Sequence, residues 1–292
     1  MKEIIIVTDG SADLPENWKE KYRILLLPMW LRFKDDSYQQ DVDISPRLFY
    51  DLVNKTREVP KTAFPSPDQM AAYYHSIAKK GDQILSLHVA SKLSGTFSAV
   101  QQAARQLINE LDLYPVDSGA GSAALAFMCR DVRLLEQAGY SIQKIKRHLE
   151  QVSKKLKIVF TVDNLEYARL SGRVNLLQST LSSLLKLKPV IELREGLLEV
   201  IEKVRTRQRA FGWLLEYARE HTARADFSVA VVHANDLPAA EHMKELLEKL
   251  ENVKEVVITE LAIPVAAHLG PGTVGLVLYP ALSSSLHQGN NE

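Results

Sequence analysis

The sequence predicts an α/β protein with a mostly parallel sheet in an N-terminal domain and an α+β domain after it. Three observations carry this. Up to about residue 155, short apolar runs alternate with longer amphipathic segments, the pattern of right-handed βαβ units. From residue 156 the texture changes, and two apolar runs are joined across "REG" as a hairpin. Over 292 residues, 46% are hydrophobic and 25% charged, enough for a full core in two domains of ordinary size. The predicted division is 1–155, 156–282, and a polar, disordered tail over 283–292, "SSLHQGNNE" with its preceding serine.

Taken in order, "EIIIVTD" reads as a buried parallel strand ending at Asp9, and "RILLLPMWLRF" as an extended segment closed by a polar turn at "KDDS". "SPRLFYDLVNK" is a helix with Ser45 as N-cap and Pro46 at its first position; "SPDQMAAYYHSIAKK" repeats the device with Ser66 and Pro67. The strand "DQILSLHV" leads into a long amphipathic helix, "LSGTFSAVQQAARQLINEL". A short strand "DLYPVDS", an Ala-rich helix through "ALAFMCRDVRLLEQA" and a serine-capped helix "SIQKIKRHLEQVSKK" complete the first domain. The second domain is predicted as strand "KIVFTVDN", a short helix "LEYARLSGRVN" ending at Gly172, the hairpin, a helix from Thr206 to about His221, strand 227–233, helix 237–250, and strands 254–260 and 273–279.

Composition excludes several classes of function. The 36 basic residues balance the 36 acidic ones, so no global field draws the chain to nucleic acid or a membrane surface. A single cysteine, Cys129, sits in an apolar run and reads as a buried thiol; there is no disulfide framework and no metal-ligand pair. The opening apolar run is too short for a signal peptide, and no segment approaches the ~18 apolar residues of a membrane span, so a cytoplasmic location without stable membrane insertion is expected. There is no G-x-x-x-x-G-K-[ST], H-E-x-x-H or G-x-S-x-G. "DSGAGSAA" mimics a dinucleotide fingerprint through Gly119, Gly121 and Ala124, but no strand ending in an acidic residue follows at the required distance.

Three places could hold a ligand. Open α/β sheets bind beyond the carboxyl ends of their strands, which here singles out "ASKLSGTFSAV". Ser91 or Ser94 can cap the following helix, and Gly95 lets backbone approach closely; on local sequence alone Ser94 reads first as an N-cap, with an anion contact at the helix N-terminus as the alternative. Thr62 lies in a proline-bounded loop, "VPKTAFPSPD", which reads as a connector or a contact. His268 precedes Gly-Pro-Gly, where Pro271 fixes a turn and Gly270 and Gly272 leave the backbone bare, ahead of a strand-like run.

These stretches together resemble the DegV family of bacterial fatty-acid-binding proteins. "VTDGSADLP" is similar to the family's D-S-T-A-D-L, "KTAFPSP" to T-S-Q-P-S, "LSLHVASKLSGTFSAV" to S-S-x-L-S-G-T-Y-Q-S-A, and "HLGPGTVGL" to H-x-G-P-G. "LEYARLSGRV", "LKLKPVIELREG" and "KVRTRQRA" resemble its second domain, so the likeness runs through nearly the whole chain. The resemblance implies a two-domain fold holding a long-chain fatty acid between the domains, with Thr62, Ser94, Gly95 and His268 at the carboxylate. It implies a carrier rather than an enzyme, without cofactor, metal or catalytic residues, whose partner is a separate fatty acid kinase subunit that makes an acyl phosphate for phospholipid metabolism. Arg173 and Arg205 are then candidates for contacting that kinase or the phosphate. Ala63 and Phe64 depart from the family's Ser and Gln, and Gly10 from a common Ser; Phe64 is expected to shape the pocket, and Ile263 and Ala266, just before His268, to line it. Two other readings compete: a serine hydrolase in which His268 activates Ser94 with Asp9 or Asp117 as orienting acid, and a small-ketone or sugar-phosphate binder like the dihydroxyacetone kinase substrate subunit.

Overall fold

The computed structural model describes residues 3–34, 36–56, 58–170 and 187–282. In chain order the first half contains β1 (Ile5–Asp9), α1 (Trp18–Lys21), β2 (Ile24–Leu27), β3 (Trp30–Phe33), β4 (Asp36–Gln39), α2 (Pro46–Thr56) and β5 (Lys61–Ala63). It continues with α3 (Pro67–Ile77), β6 (Gln83–His88), α4 (Thr96–Gln106), β7 (Asp112–Asp117), α5 (Ala123–Gln137) and α6 (Ile142–Ser153). The second half contains β8 (Lys157–Thr161), α7 (Glu166–Leu170), β9 (Lys188–Arg194), β10 (Leu197–Val204) and α8 (Arg207–Thr222). After these come β11 (Phe227–His233), α9 (Leu237–Leu247), β12 (Val253–Glu260), α10 (Ile263–Leu269) and β13 (Val274–Pro280).

The predicted α/β class holds. A four-stranded sheet, ordered β2-β1-β6-β7, is parallel throughout, and a six-stranded sheet, ordered β10-β9-β8-β13-β11-β12, uses only strands after residue 155. The second sheet is antiparallel except for the β11–β12 pair. The predicted hairpin across "REG" is present, and Glu195 and Gly196 both take positive φ, as a tight turn between twisted strands requires.

Several local expectations fail for identifiable reasons. The single extended segment "RILLLPMWLRF" is two strands in different sheets. Pro28 has no N–H to continue a ladder, so the chain leaves the parallel sheet at Leu27 and enters a three-stranded antiparallel sheet, β4-β3-β5. Strand β4 starts at Asp36, inside the predicted turn "KDDS". Thr62, expected in a loop, is the middle residue of β5 and pairs with Leu31. The long helix after "LSG" stops at Gln106, and the helix from 237 stops at Leu247. His268 does not sit in a loop before a strand but in α10, which the sequence reading lacked. The predicted end of the "LEYARLSGRVN" helix and the 283–292 tail lie outside the described residues.

Helix α5 holds the two sheets together. It packs on β1 and β6 on one side and on β13 on the other, and twelve of its fifteen residues are buried. Small residues at Ala123, Ala124 and Ala126 allow that close approach. Cys129 lies within it, and burial pushes its thiol up, as expected for an inert core residue. Asp131 is fully buried there, accepting hydrogen bonds from Tyr279 Oη of β13 and His148 Nε2 of α6, each at 2.8 Å. One continuous apolar cluster therefore runs from Ile4 to Tyr279 through this helix. Asp131→Ala strips the buried Tyr279 hydroxyl of its acceptor and Arg130 of its neighbouring charge; we expect a loss of about 2–4 kcal/mol in urea unfolding.

Candidate functional site

The carboxyl ends of β1 and β6 and the loop after β7 face the six-stranded sheet across a cavity, the position an open parallel sheet reserves for ligands. About 170 Å³ of it is open to the centre of a water-sized sphere, where a single water needs about 10–15 Å³. Most of its wall is aliphatic or aromatic: Ile158 and Phe160 of β8, Ile191 and Leu193 of β9, Leu198 of β10, and Val232 of β11. Polar groups enter from Ser11, Thr62, Ser94, Ser122, His268 and Thr273.

Thr62 and His268, 206 positions apart in the chain, meet at this cavity, with Thr62 Oγ1 and His268 Nε2 at 3.1 Å. β5 delivers the threonine and α10 the histidine. Helix α10 is readable after the fact: Pro264 occupies its first turn and Gly270, at φ 82°, ends it, the Pro-in, Gly-out asymmetry of helix termini. Thr273 Oγ1 donates to the Leu269 and Gly270 carbonyls at 3.1 and 2.8 Å, and Arg207 Nη2 donates to the Gly272 carbonyl at 2.9 Å while pairing with Asp236. The turn after His268 is thus fixed from two sides.

Ser94 also lines the cavity. Its Oγ lies 2.8 Å from Thr96 Oγ1 and accepts from Thr96 N at 3.3 Å, while Gly95, not Ser94, is the N-cap of α4. The bare face of Gly95 is covered by Phe64: a Cβ there would lie 2.8 Å from the ring's Cζ. Phe64, 40% exposed and part of the cavity wall, therefore rests on the start of α4. Ala63, its neighbour, is exposed and lies outside the cavity wall.

Three sequence expectations about this region change. Ile263 and Ala266 do not line the cavity; they are buried on the opposite face of α10, whereas Pro264, Val265, His268 and Leu269 share the cavity face by helical spacing. Gly270 and Gly272 do not offer backbone to a ligand. Both have φ near 80°, and their bare sides meet the Tyr167 ring and the Asp163 side chain, so they serve the turn. The Ser94–His268 pair of the hydrolase reading is not formed: the hydroxyl bonds to Thr96 and the imidazole to Thr62. Its candidate orienting acids are engaged elsewhere, Asp9 with His88 and Asp117 with the Ser91 and Gly119 amides. Arg205 is exposed between β10 and α8; Arg173 lies outside the described residues.

The sequence reading gave Asp9 of "VTDGSADLP" only the orienting role of the hydrolase reading, and gave Asp13 none. Asp9 ends β1, fully buried, accepting from His88 Nδ1 at 3.1 Å, Val89 N at 2.9 Å and Ser11 N at 3.0 Å, and from the Ser11 hydroxyl. Burial alone would raise its pKa; the His88 hydrogen bond and charge, with Ser11 and Val89, outweigh that and hold it below the ordinary value. Asp13, 1% exposed, accepts from Ser122 Oγ and from Ala262 N at 2.7 Å. Here burial dominates over those two bonds, and the carboxyl is pushed up to about 7. The folded protein therefore holds this proton more tightly than the unfolded chain. The stability this group contributes falls as pH rises from the ordinary 3.8 to about 7 and is lost above that. Asp13→Asn removes that dependence, so its stability relative to the parent, followed by denaturant midpoints across this range, should increase with pH.

Among the described residues, no cluster of His, Cys, Asp and Glu is placed to hold a metal ion, and no helix is long and apolar enough to cross a membrane.

Comparison with known proteins fits this architecture. Residues 3–281 match the family model described as "Uncharacterised protein, DegV family". The chain is 30% identical over 276 residues to Protein DegV of Bacillus subtilis, covering 94% of this chain and 98% of that protein. Among solved structures, a DegV family protein of Thermus thermophilus described for its fatty acid binding superposes with a TM-score of 0.88 at 27% identity, over 96% of this chain and 100% of that one. The B. subtilis DegV structure, described as a fatty acid binding protein, gives 0.87 at 30% identity with the same coverage. The fold is that of an α/β protein with a cavity between the carboxyl ends of its parallel sheet and a mixed six-stranded sheet. The chain belongs to the DegV family.

Proposed function

We propose that this protein binds a long-chain fatty acid, with the carboxylate at Thr62, Ser94 and His268 and the hydrocarbon tail along the wall built by β8, β9, β10 and β11. The observation that carries this reading is the Thr62–His268 bond: two polar side chains from opposite ends of the sequence converge on an otherwise apolar cavity. A tail of roughly 15 methylenes, at about 0.8 kcal/mol each, gains on the order of 12 kcal/mol gross on burial. Binding entropy takes back about 4–15 kcal/mol of that, so the tail supplies affinity without supplying orientation. A carboxylate resists burial unless hydrogen-bonded, and bonds to a charged group are each worth about 1.5–3 kcal/mol. Thr62, Ser94 and His268 provide donors, and the start of α4 at Gly95 provides backbone N–H groups beneath Phe64. The apolar wall favours this reading over a triose or sugar-phosphate ligand, which needs hydroxyl partners along its length. The named fatty-acid-binding relatives support it as well.

In this reading the chain is a carrier. It presents the carboxyl group to a separate fatty acid kinase for acyl phosphate formation, feeding phospholipid synthesis, from a cytoplasmic location. Arg205 stands two residues from Arg207, which bonds the turn after His268, and is the candidate kinase or phosphate contact within the described region; Arg173 is the second candidate. The two halves, 1–155 and 156–282, are then the domains that enclose the ligand.

Protein purified from bacteria should release a long-chain fatty acid on denaturing extraction, identified by mass spectrometry. His268→Ala should weaken palmitate binding about tenfold or more while leaving methyl palmitate within about twofold, since only the acid uses the lost donor. An empty protein that takes up neither compound would refute the reading. The chain alone with ATP should yield no acyl phosphate, and product should appear only when a fatty acid kinase is added; product without it would refute the carrier role.

A further inference from the structure

We propose that Asp13 is the positioning residue for His268, holding α10 at the head-group end of the cavity; this rests on the fatty-acid reading above. Helix α10 has an alanine, Ala262, at its N-cap, with no side chain able to bind the backbone there. Its anchoring bond comes instead from Asp13, 249 positions earlier, which accepts from Ala262 N at 2.7 Å. The other carboxyl oxygen takes the Ser122 hydroxyl, 109 positions later. Ser122 stands just before α5 with φ 59° and ψ −147°, a conformation rare outside glycine, so its side-chain direction depends on having this partner.

The carboxyl group is thus a three-way junction. It joins the loop after β1, the start of α5 and the start of α10, and each of these contributes to the cavity wall: Ser11, then Gly121 and Ser122, then Pro264, Val265 and His268. Asp13 itself is not part of that wall. It faces a separate cleft shared with Lys19, Asp41 and Glu260, and Tyr50 of α2 feels its charge. Its influence on a ligand must therefore pass through α10. Both of its bonds survive in either protonation state, because the Ser122 hydroxyl can donate or accept. Asparagine can make the same pair, one oxygen accepting from Ala262 N and the amide donating to Ser122 Oγ.

The test is binding of palmitate and of methyl palmitate to the full chain carrying Asp13→Ala, Asp13→Asn, His268→Ala or both Asp13→Ala and His268→Ala. Asp13→Ala should weaken palmitate about tenfold and methyl palmitate less than about twofold, because only the head-group contact is disturbed. Asp13→Asn should restore most of the lost affinity, and the double variant should bind palmitate no worse than His268→Ala alone. Equal losses for acid and ester, or additive losses in the double variant, would show a general structural role and overturn the proposal. So would unchanged binding in Asp13→Ala. Should Asp13→Ala fail to fold, Ser122→Ala removes one partner of the carboxyl and keeps the other; it should give the same acid-selective loss at smaller size, and a non-selective loss or none overturns the proposal. A parent protein that binds neither compound sinks the fatty-acid reading itself, an outcome distinct from a parent that prefers the acid and variants that lose both ligands alike.

Discussion

The structure turns on bringing polar side chains to one end of an apolar cavity without leaving them unpaired. Thr62 and His268 do this for each other, and the bond between them is the shortest statement of how the chain is arranged. For it to exist, β5 must lie at the edge of a small antiparallel sheet on the first half of the chain, and α10 must be held over that edge from the second half. The elements that look incidental in the fold, a three-residue strand and a seven-residue helix, are the ones whose placement decides the chemistry.

The large elements provide the fixed frame. Strands β1 and β6 end in the buried Asp9–His88 pair, which ties the two strand ends together with hydrogen bonds rather than with apolar contacts. Ser86 continues the line from His88 to Tyr74, so this corner is a chain of satisfied polar groups inside the core. Its Ser–His–Asp composition is that of a hydrolase, but Ser86 is fully buried beneath Tyr74, and a nucleophile there has no route to a substrate. Position, more than residue type, separates a structural network from a catalytic one.

The fold class was legible because strand and helix periods differ and because Ser-Pro caps and Gly turns mark the boundaries. Thr62, Ser94 and His268 were legible only as members of motifs, since nothing local in "PKTAFP" or "AAHLG" shows that the two segments touch. Short elements were the hardest to read. A seven-residue helix offers barely two turns of periodicity, and missing α10 put Ile263 and Ala266 on the cavity side when helical phase turns them into the core. The glycines of "HLGPG" were visible as turn-formers, but Tyr167 and Asp163, which fill the space beside them, come from a segment about 100 residues earlier. The contact of Phe64 with Gly95 and the bridging of Asp13 likewise depend on partners that sequence spacing does not reveal.

The burial of α5 bears on how firmly the two sheets that wall the cavity are held together. A helix wrapped by both sheets, with its buried Asp131 bonded to groups from α6 and β13, works as a keel rather than a hinge. Swinging the halves apart would drag an ionisable side chain and its aromatic partner out of register along the full length of the molecule. Outside this spine the halves also meet through surface groups, as where the Lys92 ammonium donates to the Glu195 carbonyl at 2.8 Å and joins the loop after β6 to the tip of the β9–β10 hairpin.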